Sequence, residues 1–245
     1  MFADKGGVSP IYRAVAGALI ERIDKGDLPP GSRCPSERRL ASEYGISRMT
    51  ARAAVNLLVQ RGYVERKNGS GTFVARPKIE LDLSTVAGFS DRILRHGITP
   101  GARVIEARTL GADELGASVL TALEITGEER VHALIRVRTG NSELLALERS
   151  YFPAHYCPDL LDNELTGSIY ELLRTRCDLE LAHLRQELEM TQLDASAAEA
   201  LATHPDAPAL QITRTTWDVH GRPIEFARDL YRGDRLLFVT EAPAS

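Results

Sequence analysis

The stretch LPPGSRCPSERRLASEYGISRMTARAAVNLLVQRGYVERKNGSGTFV, residues 28–74, decides the fold of the first third of the chain. It predicts a short helix, a tight turn, a second helix with basic residues at its start, and a hairpin closed by glycines. This order of elements is typical of a winged helix-turn-helix, which places its second helix in the major groove of DNA. We therefore expect the remainder of the chain to control a DNA-binding unit.

Capping signals set the predicted boundaries in this region. Ser36 and Ser47 are suited to the N-cap, because a hydroxyl accepts a hydrogen bond from a first-turn amide. Gly45 and Gly62 are suited to end the same two helices, since glycine tolerates left-handed backbone. We expect helices over about residues 11–25, 36–44 and 48–61, and strands over about 63–66 and 72–74 around the turn Asn68-Gly69-Ser70-Gly71.

The remaining two-thirds of the chain predicts a second domain of the α+β class. Residues 75–84 contain Pro77 and lack helical periodicity, so we expect domains at 1–75 and 85–245 joined by a linker at 76–84. Turns at 140–142 and 220–221 join neighbouring strands, which favours an antiparallel sheet with helices packed against it. Strands are expected at about 102–110, 130–139, 143–152, 180–191, 209–219, 223–231 and 236–241, and helices at about 85–96, 112–120, 168–175 and 195–203.

Charge is distributed unevenly along the chain. Residues 1–77 carry 13 Lys and Arg against 7 Asp and Glu, whereas the other residues carry 17 against 27. A basic front suits the neutralisation of phosphates, and an acidic body stays off the DNA. The first residues lack the apolar core of a signal peptide and no apolar run is long enough to span a membrane, so a cytoplasmic protein without membrane contact is expected.

Motifs of catalysis and of metal binding are lacking in this sequence. There is no dinucleotide-binding glycine pattern, no phosphate-binding GxxxxGK[ST] and no nucleophile elbow. Three cysteines (Cys34, Cys157 and Cys177) stand far apart, so we expect neither a disulfide framework nor a thiolate metal site, and the histidines are scattered. We therefore predict a protein that is not an enzyme and holds no cofactor or metal.

The residues quoted above resemble the signature of the GntR family of bacterial transcription regulators. The remainder resembles the effector-binding (UTRA) domain of its HutC subfamily, through HGITPGARV (96–104), IRVRTGNSELLALERSYFP (135–153), GSIYELL (167–173) and IEFARDLYRGDRLLFV (224–239). The resemblance implies a chorismate-lyase-like fold for the second domain. It also implies a homodimeric repressor that binds double-stranded operator DNA of palindromic sequence and responds to a small metabolite.

The same resemblance implies which residues contact the operator. Arginine suits this role because its guanidinium can donate two hydrogen bonds to one guanine. Many relatives carry a basic residue between the wing glycines where this chain has Ser70, so Arg66 and Lys67 take more weight here. The expected DNA-binding residues are Arg38, Ser47, Arg48, Met49, Arg52 and Gly69.

A pair of alternating arginines points to an anionic effector. Arg136 and Arg138 lie two positions apart on a predicted strand, so their side chains share a face and would repel each other unless an anion lay between them. Ser168, a predicted N-cap, adds amides that favour an anion. By resemblance to relatives that bind phosphorylated sugars, the expected effector-binding residues are Phe89, Ser90, Arg136, Arg138, Glu148, Ser168, Tyr170, Glu225 and Tyr231.

Alternatives to this interpretation remain open at the level of sequence. Arg136 and Arg138 can instead pair with Glu148 and Glu225 as a purely structural network. The effector is expected to be a sugar phosphate, with a carboxylate such as urocanate as the alternative. A chorismate-lyase-like enzyme, in which Glu148 and Glu225 do acid–base work, is the other class considered.

Overall fold

The polypeptide folds as two units, with the boundary between Pro77 and Lys78. This computed structural model describes residues 10–67 and 69–241. Asn68, which the sequence analysis places in the hairpin turn, lies outside the described residues, and the side chain of Lys67 is likewise not described.

The N-terminal unit is a winged helix-turn-helix, as predicted. Its elements are α1 (Pro10–Asp24), α2 (Glu37–Glu43), α3 (Arg48–Gln60), β1 (Val64–Lys67) and β2 (Gly71–Val74). The Oγ atoms of Ser36 and Ser47 accept hydrogen bonds from the amides of Arg39 and Thr50, so both predicted N-caps form. Leu19, Leu40 and Leu58, one from each helix, are fully buried in its core.

The hairpin carries a third extended segment that the sequence analysis does not predict. The amide of Cys34 donates to the carbonyl of Thr72 at 2.8 Å, and the amide of Val74 donates to the carbonyl of Ser32 at 2.8 Å. Residues 31–34 therefore run alongside β2, antiparallel to it through the bridge of Arg33 with Phe73. This pairing fixes the wing to the chain that precedes α2.

The C-terminal unit is built on a six-stranded antiparallel sheet. The strands are β3 (Ile79–Asp82), β4 (Pro100–Leu110), β5 (Val131–Gly140), β6 (Glu143–Pro153), β7 (Leu181–Gln192), β8 (Pro208–Asp218), β9 (Pro223–Arg232) and β10 (Leu236–Val239); the helices are α4 (Phe89–Leu94), α5 (Ala117–Ala122), α6 (Ile169–Arg176) and α7 (Ala195–Ala200). The order of strands in the sheet is β4-β5-β6-β9-β8-β7, and β3 and β10 form a separate parallel pair. These strands and helices match the predicted α+β class.

Some local predictions are corrected by the structure. The stretch predicted as a linker contains β3, because Leu81 is buried in a core cluster and its strand pairs with β10 far along the chain. The helix predicted over 85–96 is limited to α4, and the one over 112–120 is divided by Gly116 into a 3₁₀ turn and α5.

The expectation that the cysteines form no disulfide is wrong for one pair. Cys157 and Cys177 are bonded, with Cα atoms 5.3 Å apart, a separation that suits a disulfide. The loop after β6 and the end of α6 pack into the same apolar cluster, which brings together two residues that are distant in sequence. Cys34 is a free, buried cysteine of the N-terminal core.

Truncation of Leu58 tests the packing of the N-terminal unit. Leu58→Ala should lower the free energy of unfolding of this unit by about 2–5 kcal/mol, because a fully buried leucine leaves a cavity when it is shortened. Met49→Ala is the matched control on the same helix, since the Met49 side chain is 71% exposed, and it should change stability by less than about 0.5 kcal/mol. Urea unfolding followed by circular dichroism measures both, and equal effects would contradict the packing.

Candidate functional site

One face of α3 is exposed to solvent, and the opposite face is buried. Ala51, Ala54, Val55 and Leu58 are buried beneath the helix. Arg48, Met49 and Arg52, all predicted DNA contacts, are exposed on the other side, near the helix start. Helical spacing thus separates an apolar stripe from a basic one, and the basic stripe has the geometry that a recognition helix needs.

The other predicted DNA contacts lie around this helix. Arg38 is exposed on α2, and Ser47 is exposed at the start of α3, where its Oγ also makes a 2.9 Å hydrogen bond with Oγ1 of Thr50. Gly69 is exposed in the wing with a φ of +73°, backbone that favours glycine. Because the α3 amides near Ser47 are at a helix N-terminus, they favour a phosphate.

Arg66 connects the wing to both helices of the motif. Its Nη2 donates to Oδ1 of Asn56 on α3 at 2.6 Å and lies 3.7 Å from Oε1 of Glu37 at the start of α2. We expect Arg66 to contact DNA. In the structure its side chain also connects the wing to α2 and α3, and it remains 45% exposed.

A small cavity in the C-terminal unit brings most of the predicted effector residues together. It lies among β5, β6, β8, β9 and the starts of α4 and α6, and its volume is about 20 Å³. Tyr231, the remaining predicted residue, does not line it; its hydroxyl donates to Oδ2 of Asp229 at 3.4 Å. The predicted residues in the lining are Phe89, Ser90, Arg136, Arg138, Glu148, Ser168, Tyr170 and Glu225.

Two arginines on β5 share one carboxylate in this cavity. Oε2 of Glu148 accepts from Nη2 of Arg136 at 2.8 Å and from Nη1 of Arg138 at 3.1 Å. Nη2 of Arg138 also donates to Oγ of Ser90 at 2.7 Å, and its guanidinium lies 4.6 Å from the ring centre of Phe89. Two positive charges therefore meet one negative charge, and both arginine side chains are at most 5% exposed.

Arg136 also holds the chain that leads into α6. Its Nη1 donates to the carbonyls of Leu165 and Gly167 at 2.9 and 3.0 Å. Ser168 follows at once and caps α6, with its Oγ accepting from the amide of Glu171. The guanidinium of Arg136 thus hydrogen-bonds the segment that closes one side of the cavity to the sheet.

Arg214 is the partner of Glu225, and the sequence analysis did not identify it. Its Nε and Nη2 donate to the two carboxylate oxygens of Glu225 at 3.1 and 3.2 Å, and Nη1 donates to Oδ2 of Asp229 at 3.1 Å. Glu225 also accepts from the hydroxyls of Tyr170 at 2.6 Å and Thr216 at 2.9 Å. The alternative of a structural network is therefore confirmed for Glu148, which pairs with both Arg136 and Arg138, and wrong for Glu225, which pairs with Arg214.

The charges that line the cavity do not cancel. Among the described lining residues, three guanidinium groups face the carboxylates of Glu148 and Glu225. Burial opposes ionisation of Glu148, but Arg138 and Arg136 outweigh it and hold its pKa below the usual value. Burial likewise opposes ionisation of Glu225, and Arg214 lowers its pKa. Both carboxylates are therefore ionised, and the lining residues carry an excess of one positive charge, which Asp229 beside Arg214 balances when it is ionised.

Asp229 and Arg92 lie buried beside this cluster with incomplete hydrogen bonding. Burial, followed by the charges of Glu148 and Glu225, raises the pKa of Asp229 to about 7 against the attraction of Arg214. Its Oδ1 has no hydrogen-bond partner among the described residues, and neither does Nε of Arg92. Burial lowers the pKa of Arg92, whose Nη2 donates to the carbonyl of Thr85 at 3.1 Å. Protonation of Asp229 near neutral pH increases the positive excess of the region.

The described residues contain neither a candidate metal site nor a helix that could span a membrane. They contain no group of three or more His, Cys, Asp or Glu side chains that could hold a metal ion. Within the same residues, every helix is too short or too polar to cross a lipid bilayer.

A basic helix-turn-helix joined to a unit with a charged, buried cavity defines a ligand-responsive DNA-binding regulator. The family profile "Bacterial regulatory proteins, gntR family" matches residues 11–74, and that of the UTRA domain matches residues 95–236. The chain belongs to the GntR family of bacterial transcription regulators and carries a UTRA effector domain. It is a transcription regulator, not an enzyme.

Named relatives and solved structures span nearly the whole chain. The HTH-type transcriptional repressor NagR of Bacillus subtilis is 34% identical, covering 98% of this chain and 97% of its own length. The histidine utilization repressor of Pseudomonas putida is 32% identical, covering 94% of this chain and 90% of its own. The crystal structure of PhnF from Mycobacterium smegmatis has a TM-score of 0.67 at 28% identity and covers 94% of this chain and 100% of that one.

Asp229 should give the protein a distinctive dependence of stability on pH. Its pKa rises from 3.8 to about 7 on folding, so the folded state binds this proton more tightly than the unfolded state. Its contribution to stability is then complete below about pH 4 and is lost as the pH rises through about 7. The asparagine side chain of Asp229→Asn has nearly the shape of aspartate but cannot ionise. The variant's free energy of unfolding relative to the wild type should therefore increase from about pH 5 to about pH 8.

Urea unfolding at several pH values measures this difference. Subtracting the wild type removes the contributions of titrating groups that do not interact with Asp229. A difference that stays constant across the range would contradict the raised pKa of Asp229.

Proposed function

We propose that the chain is a repressor that binds a palindromic operator as a homodimer and is controlled by a small anionic metabolite, with a sugar phosphate as the favoured class. The observation that carries the proposal is the positive excess of the buried cavity, where Arg136 and Arg138 share Glu148. A phosphate dianion would supply the missing negative charge and accept several hydrogen bonds at once from guanidinium groups. Such a protein acts on chromosomal DNA, which places it in the cytoplasm.

The sugar part of the ligand would use the other polar groups of the cavity. Glu225 and Glu148 have carboxylate oxygens that accept from hydroxyl or amine groups. Phe89 and Tyr170 provide aromatic rings that can cover an apolar sugar face. A planar carboxylate such as urocanate would use the arginines but would leave fewer partners for these acceptors, and for this reason we favour the sugar phosphate.

Binding of such a ligand requires the cavity to open. Its volume of about 20 Å³ suffices for about one water molecule, whereas sites for small molecules enclose about 300–1,000 Å³. An anion that takes hydrogen bonds from Arg136 competes with the carbonyls of Leu165 and Gly167. The proposed response therefore begins with release of residues 165–168 and of the start of α6, which shifts the population of conformations that the effector unit adopts.

The operator contacts in this proposal are Arg38, Ser47, Arg48, Met49, Arg52 and Gly69. Arg48 and Arg52 would read base edges, and the α3 N-terminus would hold a phosphate. For the homodimer, the supporting observation is β7, an edge strand that exposes Leu188 and Met190. An edge strand has unpaired backbone groups that a second copy of the chain can cover, and two equivalent DNA-binding units would explain a palindromic operator.

Arg48 tests the proposed recognition helix. Arg48→Ala should weaken binding to an operator, selected from random DNA with the wild-type protein, by about 5- to 160-fold for each DNA-binding unit, the equivalent of 1–3 kcal/mol for one base contact, and the factors of the two units multiply in the homodimer. Arg61→Ala, at the opposite end of α3, is the control and should bind as the wild type does. Fluorescence anisotropy at fixed salt measures both, and operator binding by Arg48→Ala equal to that of the control would contradict the assignment.

Arg136 tests the proposed effector site. A hexose 6-phosphate at about 100 times its dissociation constant should stabilise the wild-type protein by about 2.7 kcal/mol. The unphosphorylated hexose should have no effect. Arg136→Lys keeps the charge and loses the two-pronged donor, so the stabilisation should fall sharply, whereas Arg108→Lys at an exposed position of β4 should behave as the wild type does.

Thermal unfolding with a panel of hexose and hexosamine 6-phosphates, inorganic phosphate and urocanate is the measurement. Stabilisation by urocanate alone would reject the sugar phosphate and favour the alternative ligand. Full stabilisation of Arg136→Lys by a hexose phosphate would remove Arg136 from the effector site.

A further inference from the structure

Arg33 lies on the wing but is outside the set of DNA contacts considered so far. It stands opposite Phe73 in the extended segment beside β2. The hydrogen bond from the amide of Cys34 to the carbonyl of Thr72 continues this pairing toward the end of the hairpin. The extended segment before α2 therefore places the Arg33 guanidinium on the wing, although Arg33 precedes Ser70 by 37 positions in the sequence.

The side chain of Arg33 lies on the outer face of the wing. Val64 and Val74 pair with each other and are buried in the core, so their face of the hairpin points inward. Phe73 is next to Val74 along the strand and therefore faces the opposite way. Arg33 is exposed beside it, and Glu65 is the acidic residue paired with Phe73 on this outer face.

Gly71 creates the space that the guanidinium of Arg33 occupies. A Cβ atom added to Gly71 would lie 3.2 Å from both Nε and Nη2 of Arg33. Gly71 also has a φ of +117°, which other residues rarely adopt. The glycine at the first position of β2 thus lets the Arg33 guanidinium lie flat against the backbone at the end of the wing, close in the chain to Gly69 and Ser70.

We infer that Arg33 contacts a DNA phosphate and supplies, at the end of the wing, the positive charge that Ser70 lacks. Of the two other cations of the hairpin, Arg66 pairs with Asn56 and Glu37 on the helices, and the side chain of Lys67 is not described. A guanidinium on an exposed backbone surface can approach a phosphate without a bulky neighbour and bind it with two donors. Such a contact carries no sequence information, so Arg33 adds affinity and not specificity.

The salt dependence of binding tests this inference in the full-length protein. Each lost phosphate contact should reduce the slope of log affinity against log salt by about 0.9 per DNA-binding unit. The affinity ratio of wild type to Arg33→Gln should therefore be larger at about 50 mM than at about 200 mM salt by about 3.5-fold for each DNA-binding unit, or about 12-fold for a homodimer that uses both units. The probes are the selected operator and a scrambled duplex of equal length, and the reduction should be the same on both.

Relocation of the charge separates a DNA contact from a folding defect. In the double variant Arg33→Gln with Ser70→Arg, the new arginine restores a cation at the end of the wing, so the wild-type slope should return. Arg61→Gln, with the same change of charge at the far end of α3, should leave the slope unchanged. Arg48→Ala, measured in parallel, should lose preference for the operator while retaining binding to the scrambled duplex.

Three results would overturn the inference about Arg33 or the position of its charge. A wild-type slope in Arg33→Gln would overturn the inference. A loss confined to the operator would overturn it as well, because a phosphate contact affects both duplexes. A slope that the second substitution does not restore would overturn the position of the charge at the end of the wing. None of these results depends on the assignment of Arg48.

Discussion

The shared carboxylate of Glu148 is the interaction on which the effector unit depends. It neutralises only one of the two guanidinium groups that β5 carries into the interior, and burial makes an unpaired charge costly. The two guanidinium groups donate further hydrogen bonds to Ser90, Gly101, Leu165 and Gly167, and the Arg138 guanidinium lies over the ring of Phe89. Helix α4, the segment before α6 and the sheet are therefore tied to one buried charge cluster.

This arrangement explains how a regulator can be stable without its ligand and still respond to it. In the proposed response, an anionic effector replaces the internal carbonyls and the carboxylate as hydrogen-bond partners of the two arginines. Because those partners lie on different elements, their replacement changes the position of the elements and not only the occupancy of a cavity. A cavity already open to its full size would bind the ligand with less conformational change and would give weaker coupling.

The helix-turn-helix could be predicted closely because its signals are local. Caps at Ser36 and Ser47, the stop at Gly45 and the glycines of the wing act within a few residues of the elements they define. The hairpins of the sheet were predictable for the same reason, from alternation and turns. Most of the residues around the cavity came from the family resemblance together with the two-residue spacing of Arg136 and Arg138.

Contacts between distant parts of the chain were not predictable from these signals. The strand β3 depends on β10, and the disulfide depends on a loop and a helix end that meet only after folding. Arg214 was missed because its role follows from the register of β8 against β9, which places it diagonally across from Glu225. The small volume of the cavity was also unpredictable, because the sequence shows which charged residues are present but not how much space lies between them.

A crystal structure with the most strongly stabilising hexose 6-phosphate tests the central claim most directly. The account predicts phosphate oxygens within about 3.2 Å of the guanidinium groups of Arg136 and Arg138, with the hydrogen bonds to the carbonyls of Leu165 and Gly167 broken. A phosphate bound elsewhere, with both arginines still on Glu148 and the cavity still closed, would contradict it.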